Sequence, residues 1–171
     1  MDLRLRVADL AAGLRTSGAA SGSAGRRHRR LCVWSWYHRG LEHAPGLVMG
    51  LDRGGSCIGA AYRVAQPKAM DAFLYLVARE MVTPVYQPAH VRLRLDDGRT
   101  VGGVTFVVDR QNPQYAGKLS LETALDTVRH SRGHSGHNTD YVRETVAHMR
   151  ELGIRDRYLE GLAAALDGHP T

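Results

Sequence analysis

The spacing of apolar positions changes along the chain, and each change marks an element. Leu31–Tyr37 is dense in aromatic and β-branched residues and predicts a strand. Gly46–Leu51 predicts a second, short and apolar. Asp52-Arg-Gly-Gly-Ser reads as a turn by composition, with Cys57–Val64 as the strand that returns from it, so the pair predicts an antiparallel hairpin. Pro67 opens a helix whose apolar positions, Met70, Phe73, Leu74 and Val77, recur at the spacing of one buried face. Val91–Leu95 and Val101–Val108 flank Asp96-Asp-Gly-Arg and predict a second hairpin. The last third reads as helical. Leu121–Val128 forms one helix closed near Gly133, and Asn138 caps the next, with a stripe of Val142, Val146 and Met149. Gly153 ends that helix. Asp156 caps the last, with Leu159, Leu162 and Leu166. Strands first and helices later predict an α+β fold on a mostly antiparallel sheet or small barrel.

The N-terminal pattern is weaker. Met1–Leu14 has a faint helical spacing at Leu3, Val7, Leu10 and Leu14. Thr16–Gly25 is almost wholly Thr, Ser, Gly and Ala and reads as a flexible linker, and Arg26–Arg30 is a basic run. The organisation expected is therefore a poorly ordered basic segment over 1–27 and one domain over 28–168. With no apolar signal-peptide core, secretion is not expected. No apolar run is long enough to span a membrane.

Charge adds one point. The chain of 171 residues has a formal charge of +6, and residues 1–30 hold seven arginines against Asp2 and Asp9. The remainder is nearly neutral, so basicity reads as a property of the N-terminal segment rather than of a face of the fold. No nucleic-acid partner is expected on that ground. Apolar residues make up 43%, enough for a globular core. The two cysteines, Cys32 and Cys57, are too few for a disulfide scaffold and suit a reducing cytoplasm.

Glu80 is the most informative single residue. It lies three positions after Val77 and seven after Phe73, so it continues the apolar stripe of its helix. A carboxylate in a core or cleft wall has a raised pKa, which suits general acid–base work near neutral pH. The alternative is a helix-end residue paired with Arg79 or Arg39. His130, His134 and His137 have spacings of four and three, but Gly133 and Gly136 between them break the helix that metal ligation would need, so no metal site is expected. Arg39 follows the first strand, and Tyr115 lies in the loop Gln-Asn-Pro-Gln-Tyr-Ala-Gly. Beside a buried glutamate, these two would make a pocket for a charged, amino-acid-like ligand. A surface arginine and a packing tyrosine would serve equally well from composition alone.

A set of short motifs then occurs in a recognisable order: Tyr37-His-Arg-Gly, Pro45-Gly-Leu-Val, Leu51-Asp-Arg-Gly-Gly-Ser-Cys, Gly59-Ala-Ala-Tyr-Arg-Val, Tyr75-Leu-Val-Ala-Arg-Glu-Met, Phe106-Val-Val-Asp, Asn112-Pro-Gln-Tyr-Ala-Gly, Gly133-His-Ser-Gly-His-Asn and Leu152-Gly-Ile-Arg-Asp. Together they resemble the ChaC-like γ-glutamylcyclotransferases, which act on glutathione. The resemblance runs from His28 to about Asp167. It implies a small antiparallel or mixed β-barrel with flanking helices, and neither metal nor cofactor. It places Glu80 on the family's catalytic glutamate and puts Arg39 and Tyr115 on positions that look like substrate contacts, with Glu80 expected to face a cavity shared with one of them. The implied reaction converts glutathione into 5-oxoproline and cysteinylglycine, in the cytoplasm. Glutathione or another γ-glutamyl compound is the expected partner, with no nucleic acid or membrane, and the oligomeric state is left open. One departure stands out. The family opens with a strand and a Tyr-Gly-Ser-Leu loop that holds the γ-glutamyl group, and these 171 residues contain no such sequence. The first strand and substrate loop are therefore expected to be missing or replaced, with activity impaired. The alternatives are a non-catalytic γ-glutamyl-ligand-binding protein of the same fold and a nucleic-acid binder acting through the arginine-rich tail.

Overall fold

The computed structural model describes residues 16–80 and 84–168, and of residues 16–21, 79 and 80 the backbone alone. In chain order the elements are β1 (Thr16–Ser35), β2 (Gly46–Val64), a 3-10 turn at Gln66–Lys68, α1 (Ala69–Glu80), β3 (Tyr86–Leu95), β4 (Thr100–Val108), α2 (Leu121–His130), β5 (Arg132–Gly133), β6 (Gly136–His137), α3 (Asn138–Glu151) and α4 (Arg157–Asp167). The class is α+β, as expected. The four long strands form one sheet in the order β2-β1-β3-β4, and β5 and β6 form a separate two-stranded hairpin.

The described residues divide into two compact units. The first comprises 30–50 and 113–168. Its core gathers Leu31, Leu47 and Met49 from the strands, Ala124 and Val128 from α2, Tyr141, Val142, Val146 and Met149 from α3, and Leu159, Leu162 and Leu166 from α4. Every position of the two C-terminal stripes is therefore buried, because helical spacing brings those side chains to one side. The caps are polar, as helix starts require: Ser120 accepts from the Thr123 N–H at 3.0 Å, and Asp156 from the Leu159 N–H at 3.1 Å.

The second unit comprises 16–29 and 51–112, without the undescribed 81–83. Its framework is the β3–β4 hairpin, in register from Arg94↔Thr100 to Tyr86↔Val108, with β1 joined at Gly22↔Leu95, Ser23↔Arg94 and Ala24↔Leu93. Asp52, buried, pairs with Arg110 at 2.8 Å.

Three expectations change. Residues 16–25 lie in the first half of β1 rather than in a linker, and the basic run 26–30 continues that strand. A ladder is held by backbone hydrogen bonds, so small side chains suffice; at Gly22 an added Cβ would stand 3.3 Å from Leu95. The predicted helix at Met1–Leu14 lies outside the described residues. The hairpin expected at 52–56 is also absent: β2 is continuous, with Gly54 at φ 102° and Gly55 at φ 63° kinking it opposite His28, whose Nδ1 lies 3.0 Å from the Gly54 carbonyl. Consecutive glycines at positive φ serve a bulge as well as a turn. The third change is in α1. Met70 and Leu74 are exposed, while Ala72 is buried and Phe73, Leu76 and Val77 are half-buried, so its inner face is rotated from the predicted one.

Candidate functional site

The most tightly built polar region of the first unit surrounds Arg39. The chain leaves β1 at Ser35, whose Oγ accepts from the Arg39 N–H at 3.0 Å. The side chain is 4% exposed. Its guanidinium carbon lies 5.4 Å from the centre of the Tyr141 ring, and Nη1 donates to the His137 carbonyl at 3.2 Å. Among the described residues no carboxylate pairs with it, and Nε is buried with no hydrogen-bond partner. A desolvated guanidinium without a counter-charge is costly. An anionic ligand would remove that cost.

The start of α3 fixes the surroundings. Asn138, fully buried, binds both backbone groups of Leu47: its Oδ1 accepts from the N–H at 2.6 Å, and its Nδ2 donates to the carbonyl at 2.8 Å. One turn on, the Tyr141 hydroxyl accepts from the Met49 N–H at 3.0 Å. The pair clamps the first residues of β2, because i and i+3 on a helix lie close to the spacing of i and i+2 on a strand. Asn138 is therefore not the expected cap; the cap position is His137, and Asn138 begins the helix. Backbones also meet closely here. A Cβ on Gly40 would collide with the Gly46 nitrogen, and one on Gly46 with the Arg39 carbonyl.

The remaining candidates fall as follows. Tyr115, half-buried, stands opposite Val33 in an isolated antiparallel bridge, flanked by hydrogen bonds from Trp34 N–H to the Gln114 carbonyl and from Ala116 N–H to the Cys32 carbonyl, both 2.8 Å. Arg39 and Tyr115 thus both attach to the last residues of β1. Glu80 is the last residue of α1, in the second unit, and its side chain lies outside the described residues. So does the expected cavity it would face. The three histidines serve separate contacts: His130 Nδ1 is 3.1 Å from the Asp126 carboxylate, the His134 ring stacks on Tyr37 at 4.3 Å, and His137 offers its carbonyl to Arg39. The glycines between them shape the β5–β6 hairpin. Among the described residues no three His, Cys, Asp or Glu side chains gather as a metal site, and no helix is long and apolar enough to cross a membrane.

Asn138 and Tyr141 were missed as a pair because asparagine after a glycine-rich loop reads as a cap. The available signal was an Asn followed three residues later by a Tyr that begins an apolar stripe.

Comparison with known proteins places this architecture. The model of the ChaC-like protein family matches residues 14–168, and the chain belongs to that family. It is 31% identical over 139 residues to the glutathione-specific γ-glutamylcyclotransferase of Escherichia coli K12, a match covering 81% of this chain and 60% of that protein. It is 32% identical over 147 residues to human glutathione-specific γ-glutamylcyclotransferase 1, covering 84% of this chain and 66% of that one. The chain therefore spans less than two-thirds of these relatives' length. The crystal structure of selenomethionine-labelled, glutathione-specific γ-glutamyl cyclotransferase from yeast superposes with a TM-score of 0.80 at 17% identity, covering 96% of this chain and 93% of that one, which establishes a shared fold.

Proposed function

We propose that the protein degrades glutathione as a γ-glutamylcyclotransferase. In the reaction the α-amine of the γ-glutamyl group attacks its own γ-carbonyl. One C–N bond forms and closes a five-membered ring, the bond to the cysteinyl nitrogen breaks, and 5-oxoproline and cysteinylglycine leave. Attack requires a neutral amine, so a base must take one of its protons. The leaving nitrogen needs a proton, and the same group returns it. A single carboxyl of raised pKa performs both transfers, and Glu80 is assigned that role. Position 80 follows Phe73, Leu76 and Val77 at helical spacing, in line with the half-buried row of α1. No water enters the reaction, so a dry site favours cyclisation over hydrolysis. Holding the glutamyl chain folded supplies much of the acceleration.

The observation that carries the reading is Arg39, a buried guanidinium with no carboxylate partner among the described residues, in a chain of this family. Glutathione brings carboxylates. Arg39 is assigned one of them and Tyr115 a further contact with the substrate. With only two cysteines, Cys32 and Cys57, the chain has too few for a disulfide scaffold, which fits a reducing, cytoplasmic setting.

The test is chromatographic release of 5-oxoproline and cysteinylglycine from glutathione, with the α-linked isomer of the tripeptide as control. The reading requires release from the γ-linked peptide alone, and Arg39→Gln should raise KM more than it lowers kcat. The absence of a Tyr-Gly-Ser-Leu sequence favours a second reading, a γ-glutamyl binder without turnover. Glutathione binding by calorimetry with no product would establish that one instead.

A further inference from the structure

The four long strands hold eight arginines (Arg26, Arg27, Arg29, Arg30, Arg53, Arg63, Arg92 and Arg94) and a single carboxylate, Asp52. Asp52 is buried and paired with Arg110. The basic run that reads as a tail in the sequence is thus built into the sheet. In the second unit, exposed positions on β3 alternate: His90, Arg92 and Arg94 point to one side, opposite Val104, Gly102 and Thr100 of β4. Ser23 of β1 stands opposite Arg94, and the exposed Gly25 and Arg26 follow it. Among the described residues no side chain of His90, Arg92 or Arg94 makes a hydrogen bond or ion pair.

Beside Arg92 the face is hollow. A shallow trough of about 410 Å³ is lined by His90, Val91, Arg92, Gly102, Gly103 and Val104. Gly102 forms it, yet a Cβ there would meet nothing within 4 Å, and its φ is not in the positive range. Neither packing among the described residues nor backbone conformation calls for glycine at this position. Glycine inside a strand marks a bulge, a tight bend or a place where a ligand or another backbone approaches closely, and the β3–β4 register runs through Gly102 without a bulge.

We propose that this face binds single-stranded nucleic acid. Side chains two residues apart on a strand are about 6.6–6.8 Å apart, close to the repeat of an extended phosphate backbone, so Arg92 and Arg94 can each meet a phosphate. An acidic polypeptide would need the same cations but no recess; a nucleotide needs both, and the Gly102 trough gives room for sugar and base beside His90 and Val104. The binding is dominated by phosphate contacts and steep in salt, with little sequence preference. The proposal stands apart from the cyclotransferase reading and uses none of its residues.

The experiment is fluorescence anisotropy of a short labelled single-stranded oligonucleotide titrated with the full chain at several salt concentrations. The expected result is binding at low salt that weakens steeply as salt rises. In the Arg92→Glu/Arg94→Glu variant, affinity drops on the order of tenfold or more, and the slope of log K on log salt falls by about 1.4 for two lost phosphate contacts. Gly102→Val, which fills the trough without touching charge, should weaken binding at unchanged slope. It also serves if the double variant does not fold. The proposal is overturned if the wild-type chain binds no oligonucleotide at low salt, if both variants bind as the wild type does, or if polyglutamate of equal charge competes as well as the oligonucleotide.

Discussion

Arg39, Asn138, Tyr141 and Tyr158 carry the residue-scale consequences. Asn138 satisfies a buried donor and a buried acceptor of Leu47 with one side chain. Leaving such groups unmatched costs about 1–3 kcal/mol each, so Asn138→Ala should lower stability by about 3 kcal/mol, seen as a reduced urea midpoint at unchanged slope. Tyr158 is the opposite case. Its hydroxyl is buried with no hydrogen-bond partner among the described residues, and Arg30 lies 5.7 Å from its ring centre. Phenylalanine keeps the ring contact and removes the orphan hydroxyl, so Tyr158→Phe should be neutral or stabilise by about 1 kcal/mol. Burial also raises the Tyr158 pKa above its ordinary value, against a smaller lowering by Arg30. The unfolded phenol then ionises first. Stability from this group is intact below about pH 10 and is lost as pH rises from there through the folded value. Thermal melts across the alkaline range should therefore fall less steeply for Tyr158→Phe than for the wild type. Of these residues the sequence singled out Asn138 as a helix cap and Arg39 as a candidate ligand contact. The loop position of Arg39 after a strand left open a pocket residue or a surface arginine, whereas its burial over the Tyr141 ring depends on segments distant in sequence meeting, which no local pattern encodes.

At the scale of elements, α2, α3 and α4 were legible because each has a period-3.6 stripe and most have a polar cap, and their stripes pack on one another within one unit. The β3–β4 hairpin was legible from its Asp-Asp-Gly-Arg turn, where Asp97 now bonds Arg99. β1 and β2 were legible only in part: Leu31–Ser35 and both ends of β2 read as strands, but the signals that punctuate short strands, a Ser/Gly-rich stretch and a Gly-Gly pair, here lie inside long ones. The join between them supplies a test. Gly40 and Gly46 bring two backbone segments into contact, so Gly40→Ala has no flexible side chain to displace and should cost about 3 kcal/mol or more. Gly102→Ala, inside β4 with open space around it, should leave the melting temperature nearly unchanged. Equal losses at the two positions would show that close approach does not set the penalty.

For the whole molecule, the family was legible from motifs in order. The proposed reaction rests on that family, and the absence of a Tyr-Gly-Ser-Leu sequence from these 171 residues bears on its rate. Intramolecular attack tolerates little misplacement; an error of about 1 Å costs on the order of a hundredfold. A chimera carrying a family-like strand and loop ahead of β1 is expected to release 5-oxoproline on the order of a hundredfold faster than the 171-residue chain, by analogy with that sensitivity. Turnover by the chain that already equals the chimera's would remove the loop from the account. The most direct test of the central claim is 5-oxoproline release from glutathione by that chimera and by its Glu80→Gln counterpart, both checked for folding by thermal melts. The account predicts release by the first and none above background by the second, with glutathione binding retained in both. Release that survives Glu80→Gln would contradict it.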